Sequence, residues 1–132
     1  MLGTLRPSGT PRISPVEPHL AAGHLVFGAM SWSLKAHDLQ RDPRCVLHSA
    51  VTDPDSGEGE LKLYGRASSA PDEIRDAPRA AWWIGRPRET ASVFCLYIEQ
   101  ASFIAWDIAQ AQMTIYHWST RRGYRTTRRS YP

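Results

Sequence analysis

Short apolar runs, separated every few residues by turn-forming residues, constrain the fold of this chain more than any other feature. Proline, glycine, serine and aspartate lie between runs that are too short for long helices and have the length of β-strands. The predicted strands include residues 2–5, 11–16, 25–30, 45–52, 60–67, 91–98, 102–107 and 113–118. About seven strands in hairpins, with few helices between them, favour a small antiparallel barrel over a doubly wound sheet.

Two short helical segments are predicted between the strands. Residues 34–41 form an amphipathic segment that ends before a proline, as helices commonly do. A second helical region begins at Pro71, is interrupted at Pro78 and continues to about Trp83. Residues 19–23 are predicted as a turn, and residues 53–59 as an exposed acidic loop.

The segment Met30–Ala36 carries the strongest chemical signal, because it lies in the turn between a predicted strand and the first helix. It contains two small hydroxyl residues, Ser31 and Ser33, and one cation, Lys35. Free backbone N–H groups, hydroxyls and a positive charge at one such turn form a phosphate site. The alternative is an ordinary helix N-cap, supplied by either serine, with a solvated lysine.

Length and composition indicate one soluble domain, 1–132, with a core of its own. No stretch approaches the roughly 20 apolar residues of a membrane span. The first residues also lack the basic and apolar regions of a signal peptide. We therefore expect a cytoplasmic protein that does not contact a membrane.

The cysteines and histidines give no sign of a metal site. Cys45 and Cys95 each lie inside a predicted strand, and two buried free thiols are favoured over a disulfide, which the spacing leaves open. The five histidines show none of the spacings that zinc ligands have.

Five arginines and no acidic residue lie within residues 121–129, although the net charge of the chain is only +3. Such a patch is available to nucleic acid, to an anionic cofactor or simply to water. Nucleic acid is disfavoured, because the aromatic residues do not alternate with the basic ones along one strand. The five tryptophans indicate a pocket or an interface, or else large core residues.

A series of motifs runs in order along almost the whole chain. The most specific is Phe27-Gly28-x-Met30-x-x-Ser33-x-Lys35-Ala36-x-x-Leu39-x-Arg41-Asp42-Pro43-Arg44. It follows Leu2-Gly3-Thr4-Leu5-Arg6-x-x-Gly9-x-Pro11-Arg12-x-Ser14-Pro15 and precedes Tyr64-Gly65-Arg66-Ala67, Val93-Phe94-x-Leu96-x-Ile98, Trp118, Gly123 and Tyr131-Pro132. In these residues the chain resembles the pyridoxamine 5'-phosphate oxidase-like family of FMN-binding split barrels.

The resemblance is closer to the bacterial branch that uses FMN or a deazaflavin (coenzyme F-420) than to true pyridoxamine phosphate oxidases. It implies a mainly β fold, a six- to seven-stranded antiparallel split β-barrel with short helices. It also implies a homodimer with the cofactor in a groove between the two chains. Family members usually have a helix before the first strand, whereas the first predicted strand here begins at residue 2, so we expect either a shortened form or a start placed too late.

The resemblance also implies which residues contact the cofactor. Ser33 and Lys35 would hold its phosphate, with Ser31 and the Met30 backbone nearby. Leu47, His48 and Ser49 would pass beneath the ring, and Ser14, Pro15 and Val16 would flank it. Trp118 would close the groove from the partner chain. The alternatives are that His48 is a structural strand residue, that Ser14 is a bulge residue and that Trp118 is a core residue.

The function implied is hydride transfer between a bound flavin or deazaflavin and a small organic substrate. No catalytic dyad is expected from the protein, because such cofactors carry the chemistry themselves. The arginines of 121–129 would then meet the acidic tail of a deazaflavin or remain solvated. The alternative function is a protein that binds or carries the cofactor without turnover.

Overall fold

One long strand, Ala91–Asp107, organises the whole sheet. The computed structural model describes residues 1–50, 53, 55, 57 and 59–131, which form nine strands and two helices. The strands are β1 Leu2–Leu5, β2 Pro11–Ser14, β3 Pro18–Ala21, β4 His24–Met30, β5 Arg44–His48, β6 Glu60–Ser69, β7 Ala91–Asp107, β8 Gln112–Ser119 and β9 Gly123–Ser130. The helices are α1 Leu34–Arg41 and α2 Asp72–Arg75.

The sheet is antiparallel and divides along β7. Its main path runs β2-β1-β5-β6-β7-β4-β3. In addition, β8 pairs with β7, and β9 pairs with β8. Residues 91–96 of β7 pair with β4, whereas residues 100–107 pair with β8. Since β6 occupies the other edge of β7, β4 and β8 share one edge and separate at residues 97–99. The predicted mainly β split barrel with short helices is confirmed.

The described residues form nine strands instead of the six to seven predicted, because β3 and β9 were not apparent in the sequence, although two predicted strands merge into one. The predicted turn at 19–23 is wrong, since β3 extends through Ala21 and only Ala22 and Gly23 turn, with φ of 49° and 78°. β9 has no apolar alternation, and its pairing with β8 makes it a strand. The predicted strands 91–98 and 102–107 are one continuous strand.

The helical predictions were correct for α1 and too long for the second region. α1 has the predicted bounds, Leu34–Arg41. α2 is a single turn that ends at Arg75, because Pro78 lacks an N–H group and disfavours helix in the residue before it. Neither helix in the described ranges has the length and hydrophobicity that a membrane crossing requires.

The remaining boundary predictions concern the segment after β5. The predicted strand 45–52 ends at His48, and its last two residues, Val51 and Thr52, lie outside the described residues. Parts of the predicted acidic loop, residues 54, 56 and 58, also lie outside them.

Two apolar clusters pack on opposite faces of β4, because consecutive residues of a strand point to opposite faces. Phe27 belongs to the cluster inside the barrel, which α1 covers with Ala36 and Leu39. Val26 belongs to the outer cluster, which contains the fully buried Trp83. Burial on both faces explains why the sequence of β4 is an apolar run rather than an alternating one.

Candidate functional site

The turn between β4 and α1 has the local structure of a helix N-cap. Ser33 has extended backbone angles, and its Oγ accepts a hydrogen bond from the Ala36 N–H group at 3.4 Å. The Ser33 N–H group donates to the Met30 carbonyl oxygen at 2.8 Å, which closes the turn. The first N–H groups of a helix have no intrahelical acceptor and carry the positive end of the helix dipole. This end of α1 therefore attracts an anion.

Lys35 brings together two segments that are far apart in sequence. Its Nζ donates a hydrogen bond to the Pro15 carbonyl oxygen at 2.6 Å, which joins the first turn of α1 to the end of β2. Partial burial lowers the pKa of the Lys35 ammonium. Within the described part of the chain, Lys35 makes no ion pair with a carboxylate. Its charge is therefore not neutralised by those residues.

Ser31 has a different environment from Ser33, although both lie in the same turn. Its Oγ donates to the Arg88 carbonyl oxygen at 2.8 Å and lies 2.9 Å from Ser92 Oγ. Its N–H group donates to the Thr90 carbonyl oxygen at 3.2 Å. These contacts tie the end of β4 to the beginning of β7, so the Ser31 hydroxyl has partners within the chain.

The predicted segment 47–49 lies two strands away from Ser14. Leu2 pairs with Ser14 on one side and with Leu47 on the other, so these two residues are about 10 Å apart across β1. Leu47 is buried in the barrel core, whereas His48 and Ser49 are half-buried at the end of β5. The sheet thus places the three predicted segments at neighbouring positions around β1 and α1.

His48 is held by contacts on both sides of its ring. Its Nδ1 lies 2.8 Å from the Ser49 carbonyl oxygen, and its Nε2 lies 3.5 Å from Glu60 Oε1. Glu60 also contacts Lys62, and the hydrogen bond from Lys62 lowers the pKa of the Glu60 carboxyl. Ser49 Oγ accepts a hydrogen bond from the Leu61 N–H group at 3.0 Å. These contacts fix the ends of β5 and β6 against each other.

A cleft of about 750 Å³ lies elsewhere, between β6, β7, β8 and the turn after β8. None of the residues predicted to contact the cofactor phosphate or to lie against its ring lines it. Its lining residues are Tyr64, Arg66, Glu99, Gln100, Ala101, Ser102, His117, Trp118, Ser119, Thr120, Arg121, Arg122, Gly123 and Arg125. The sequence indicated its arginines and Trp118, but the polar strand residues were missed because only strand pairing brings them together.

No family model matches the chain, and no curated protein matches it in sequence. Solved structures do resemble it. PhzG from Burkholderia lata 383, in complex with tetrahydrophenazine-1-carboxylic acid, has a TM-score of 0.73 and 12% identity over 98% of this chain and 80% of its own. A pyridoxamine 5'-phosphate oxidase-related, FMN binding protein from Nostoc punctiforme PCC 73102 has a TM-score of 0.65 and 14% identity over 98% and 85%.

Other solved structures with this fold are named for different ligands. A heme binding protein from Mycobacterium smegmatis has a TM-score of 0.62 and 16% identity over 98% of this chain and 81% of its own. An F420 reductase has a TM-score of 0.56 and 20% identity over 76% and 86%. At these identities the likeness shows the fold, and it confirms the split barrel that the sequence motifs predicted.

Proposed function

We propose that this protein is an oxidoreductase that binds a flavin-type cofactor, FMN or deazaflavin coenzyme F-420, and transfers hydride between it and a small organic substrate. The observation that carries the proposal is the hydrogen bond from Lys35 to Pro15, beside the N-cap Ser33. Lys35 supplies a cation and Ser33 a hydroxyl, and both belong to the first turn of α1 and its cap, at the positive end of the helix dipole. Proteins named for FMN and for F420 share the fold.

The residues at the start of α1 fit a cofactor phosphate. Lys35 supplies a positive charge, and the N–H groups of Leu34 and Lys35 supply donors that have no acceptor among the described residues. A hydrogen bond from Lys35 to a carbonyl leaves its other two N–H donors available. Because Ser31 already has partners, we assign it the role of fixing β4 to β7 rather than of contacting the phosphate.

The cofactor supplies the hydride chemistry when it is bound, and the protein supplies binding, orientation and exclusion of water. In this proposal Ser14, Pro15 and Val16 flank the ring with the backbone at the end of β2. Leu47, buried beneath the sheet surface, and the backbone of His48 and Ser49 form the floor. The contacts of His48 with Glu60 and the Ser49 carbonyl keep that floor rigid.

A second copy of the chain would complete the groove. Two large apolar side chains are exposed at the start of α1: Trp32 is 71% exposed and Leu34 60%. Exposed apolar groups close together are typical of protein interfaces. We expect the protein to sediment as a homodimer and Trp32→Glu to sediment as a monomer. Leu20→Glu, at an exposed position of edge strand β3, is the matched control and should remain dimeric.

Fluorescence titration with FMN and with coenzyme F-420 tests the proposal. We expect one of them to bind and Lys35→Ala to weaken that binding by at least about tenfold, since a charged hydrogen bond is lost. Arg128→Ala removes a cation on β9 and should bind as the wild type does. Equal affinities of wild type and Lys35→Ala would contradict this site, and failure to bind either cofactor would contradict the function. Binding without turnover on a substrate panel would instead identify a cofactor carrier.

A further inference from the structure

The cleft between β6, β7 and β8 has an excess of positive charge that the cofactor proposal does not use. Arg66 forms an ion pair with Glu99 at 3.3 Å. Arg121, Arg122 and Arg125 also line the cleft, and in the described ranges none of these three has a carboxylate within 4.0 Å. Three guanidinium groups around one cleft repel each other, and a bound anion would remove that repulsion.

The floor of the cleft is polar because strand pairing places polar residues in register. Ser102 pairs with His117, and His117 pairs with Arg125, so their side chains share one face of the sheet. The neighbouring row on the same face contains Gln100 and Ser119. Hydroxyl, amide and imidazole groups therefore line the cleft together with the arginines and can donate hydrogen bonds to an anion.

The turn between β8 and β9 holds two of the arginines at the edge of the cleft. The Arg122 N–H group donates to Ser119 Oγ at 3.1 Å, and the Thr120 N–H group donates to the Glu99 carbonyl oxygen at 3.0 Å. Gly123 has a φ of +65°, which glycine adopts without strain. The backbone that carries Arg121 and Arg122 is therefore fixed against β7.

The basic surface ends within the sheet instead of continuing along it. The next row on the same face consists of Glu60, Ile104, Ile115 and Thr127, which carry no positive charge. An extended nucleic-acid strand needs a longer basic track. A volume of about 750 Å³ is instead within the range of small-molecule pockets.

We propose that this cleft is a second ligand site, which binds a small organic anion with two or more carboxylate or phosphate groups. Guanidinium groups bind carboxylates and phosphates through the same paired hydrogen bonds, so either kind of ligand fits the site. The site is separate from the start of α1 in the same chain. Ser92 contacts Ser31, and Gln100 lines the cleft. These two residues of β7 are eight positions apart, which is about 26 Å of extended strand.

Calorimetric titration at fixed ionic strength, with inorganic tripolyphosphate and with citrate, tests this site. We expect at least one probe to bind, and Arg121→Ala/Arg122→Ala to weaken its binding by at least about tenfold. Stronger binding of tripolyphosphate would indicate a phosphate ligand, and stronger binding of citrate a carboxylate ligand. Lys35→Ala should bind the probe as the wild type does, which separates this result from the cofactor proposal.

Arg128→Ala/Arg129→Ala is the matched control, because it removes the same charge from β9 outside the cleft. It should change the affinity by less than about twofold, since contact and not net charge determines binding. Equal weakening by both double variants would overturn the proposal, as would the absence of binding by either probe. Tighter binding of a single-stranded 12-nucleotide DNA than of both probes would also overturn it and indicate a nucleic-acid surface.

Discussion

Arg12 donates a hydrogen bond from Nε to Oδ2 of Asp38 at 2.6 Å, and this contact ties β2 to α1. Thr4 Oγ1 donates to the same oxygen at 2.9 Å, so β1 shares the contact. The Asp38 side chain is only 3% exposed. Because Lys35 lies one turn earlier on α1, the Arg12–Asp38 pair determines where Lys35 stands relative to Pro15.

Removal of the Asp38 carboxylate should destabilise the protein strongly. Asp38→Ala leaves the partly buried guanidinium of Arg12 and the buried hydroxyl of Thr4 without this partner, and we expect a loss of about 3–5 kcal/mol in the free energy of unfolding. Urea denaturation measures this loss of unfolding free energy. Gln40→Ala, at an exposed position of the same helix, should change stability by less than about 0.5 kcal/mol. Similar values for the two variants would contradict the role of Asp38.

The same carboxylate should make stability depend on pH in the acid range. Burial raises the pKa of Asp38, but the hydrogen bonds from Arg12 and Thr4 outweigh it and hold the pKa below its ordinary value. The ion pair therefore stabilises the fold fully above the unfolded-state pKa of about 3.9 and loses this effect as the pH falls through the folded-state value. The difference in unfolding free energy between wild type and Asp38→Asn should be constant above about pH 5 and shrink below about pH 4. A constant difference down to about pH 2 would contradict this.

Gly65 should not tolerate a side chain. It lies at the register shift between β6 and β7, and a Cβ atom there would overlap the Tyr97 carbonyl oxygen. Because backbone must move to accept it, Gly65→Ala should lower the free energy of unfolding by about 1–3 kcal/mol. Ser68→Ala, at an exposed position of the same strand, is the control. Thermal unfolding that is unchanged for Gly65→Ala would show that β6 shifts freely.

Trp83 should be the tryptophan on which stability depends most. It is fully buried, and its Nε1 donates to the Arg75 carbonyl oxygen at 2.9 Å. Trp83→Phe removes this hydrogen bond and part of the side-chain volume, which should cost about 2 kcal/mol of unfolding free energy. Tyr97→Phe, at a position 65% exposed, should cost almost nothing in the same denaturant titration. Equal losses would contradict the assignment of Trp83 to the outer core.

The thiols should react slowly in the folded protein. Burial raises the pKa of the Cys45 thiol to about 11, and it also raises the pKa of Cys95. Both cysteines are free. Since the thiolate is the reactive form, labelling by Ellman's reagent at pH 8 should be slow for native protein and fast in guanidinium chloride. Rapid labelling of both thiols without denaturant would contradict the protection that their partial burial provides.

The sequence predicted best where local signals and tertiary contacts agree. α1 has both a capping serine and a proline beyond its end, and its bounds were correct. β9 was missed because its arginines and threonines bury no apolar face, so only pairing with β8 makes it a strand. α2 was too long in the prediction, because the apolar pattern up to Trp83 reflects packing of turns rather than a helix.

The candidate site, like the fold, was predicted where local spacing defines it and missed where tertiary contacts do. Spacing along the chain identified Ser33 and Lys35, since both lie in one turn of α1 and the adjoining cap. The contact between Lys35 and Pro15 depends on how α1 packs across β1, which spacing does not reveal. The floor of the arginine-lined cleft depends on register between β7, β8 and β9, and register is not encoded by any short motif.

The position of β7 in the sheet also determines when the molecule can fold. β4 pairs with residues 91–96, about two thirds of the way along the chain, and β6 and β8 pair with the same strand. During synthesis, therefore, the first 90 residues leave the ribosome with the interior edge of β4 unpaired. Contacts so distant in sequence are slow to form. Until β7 emerges, the nascent chain has an apolar strand edge that chaperones or premature aggregation can engage.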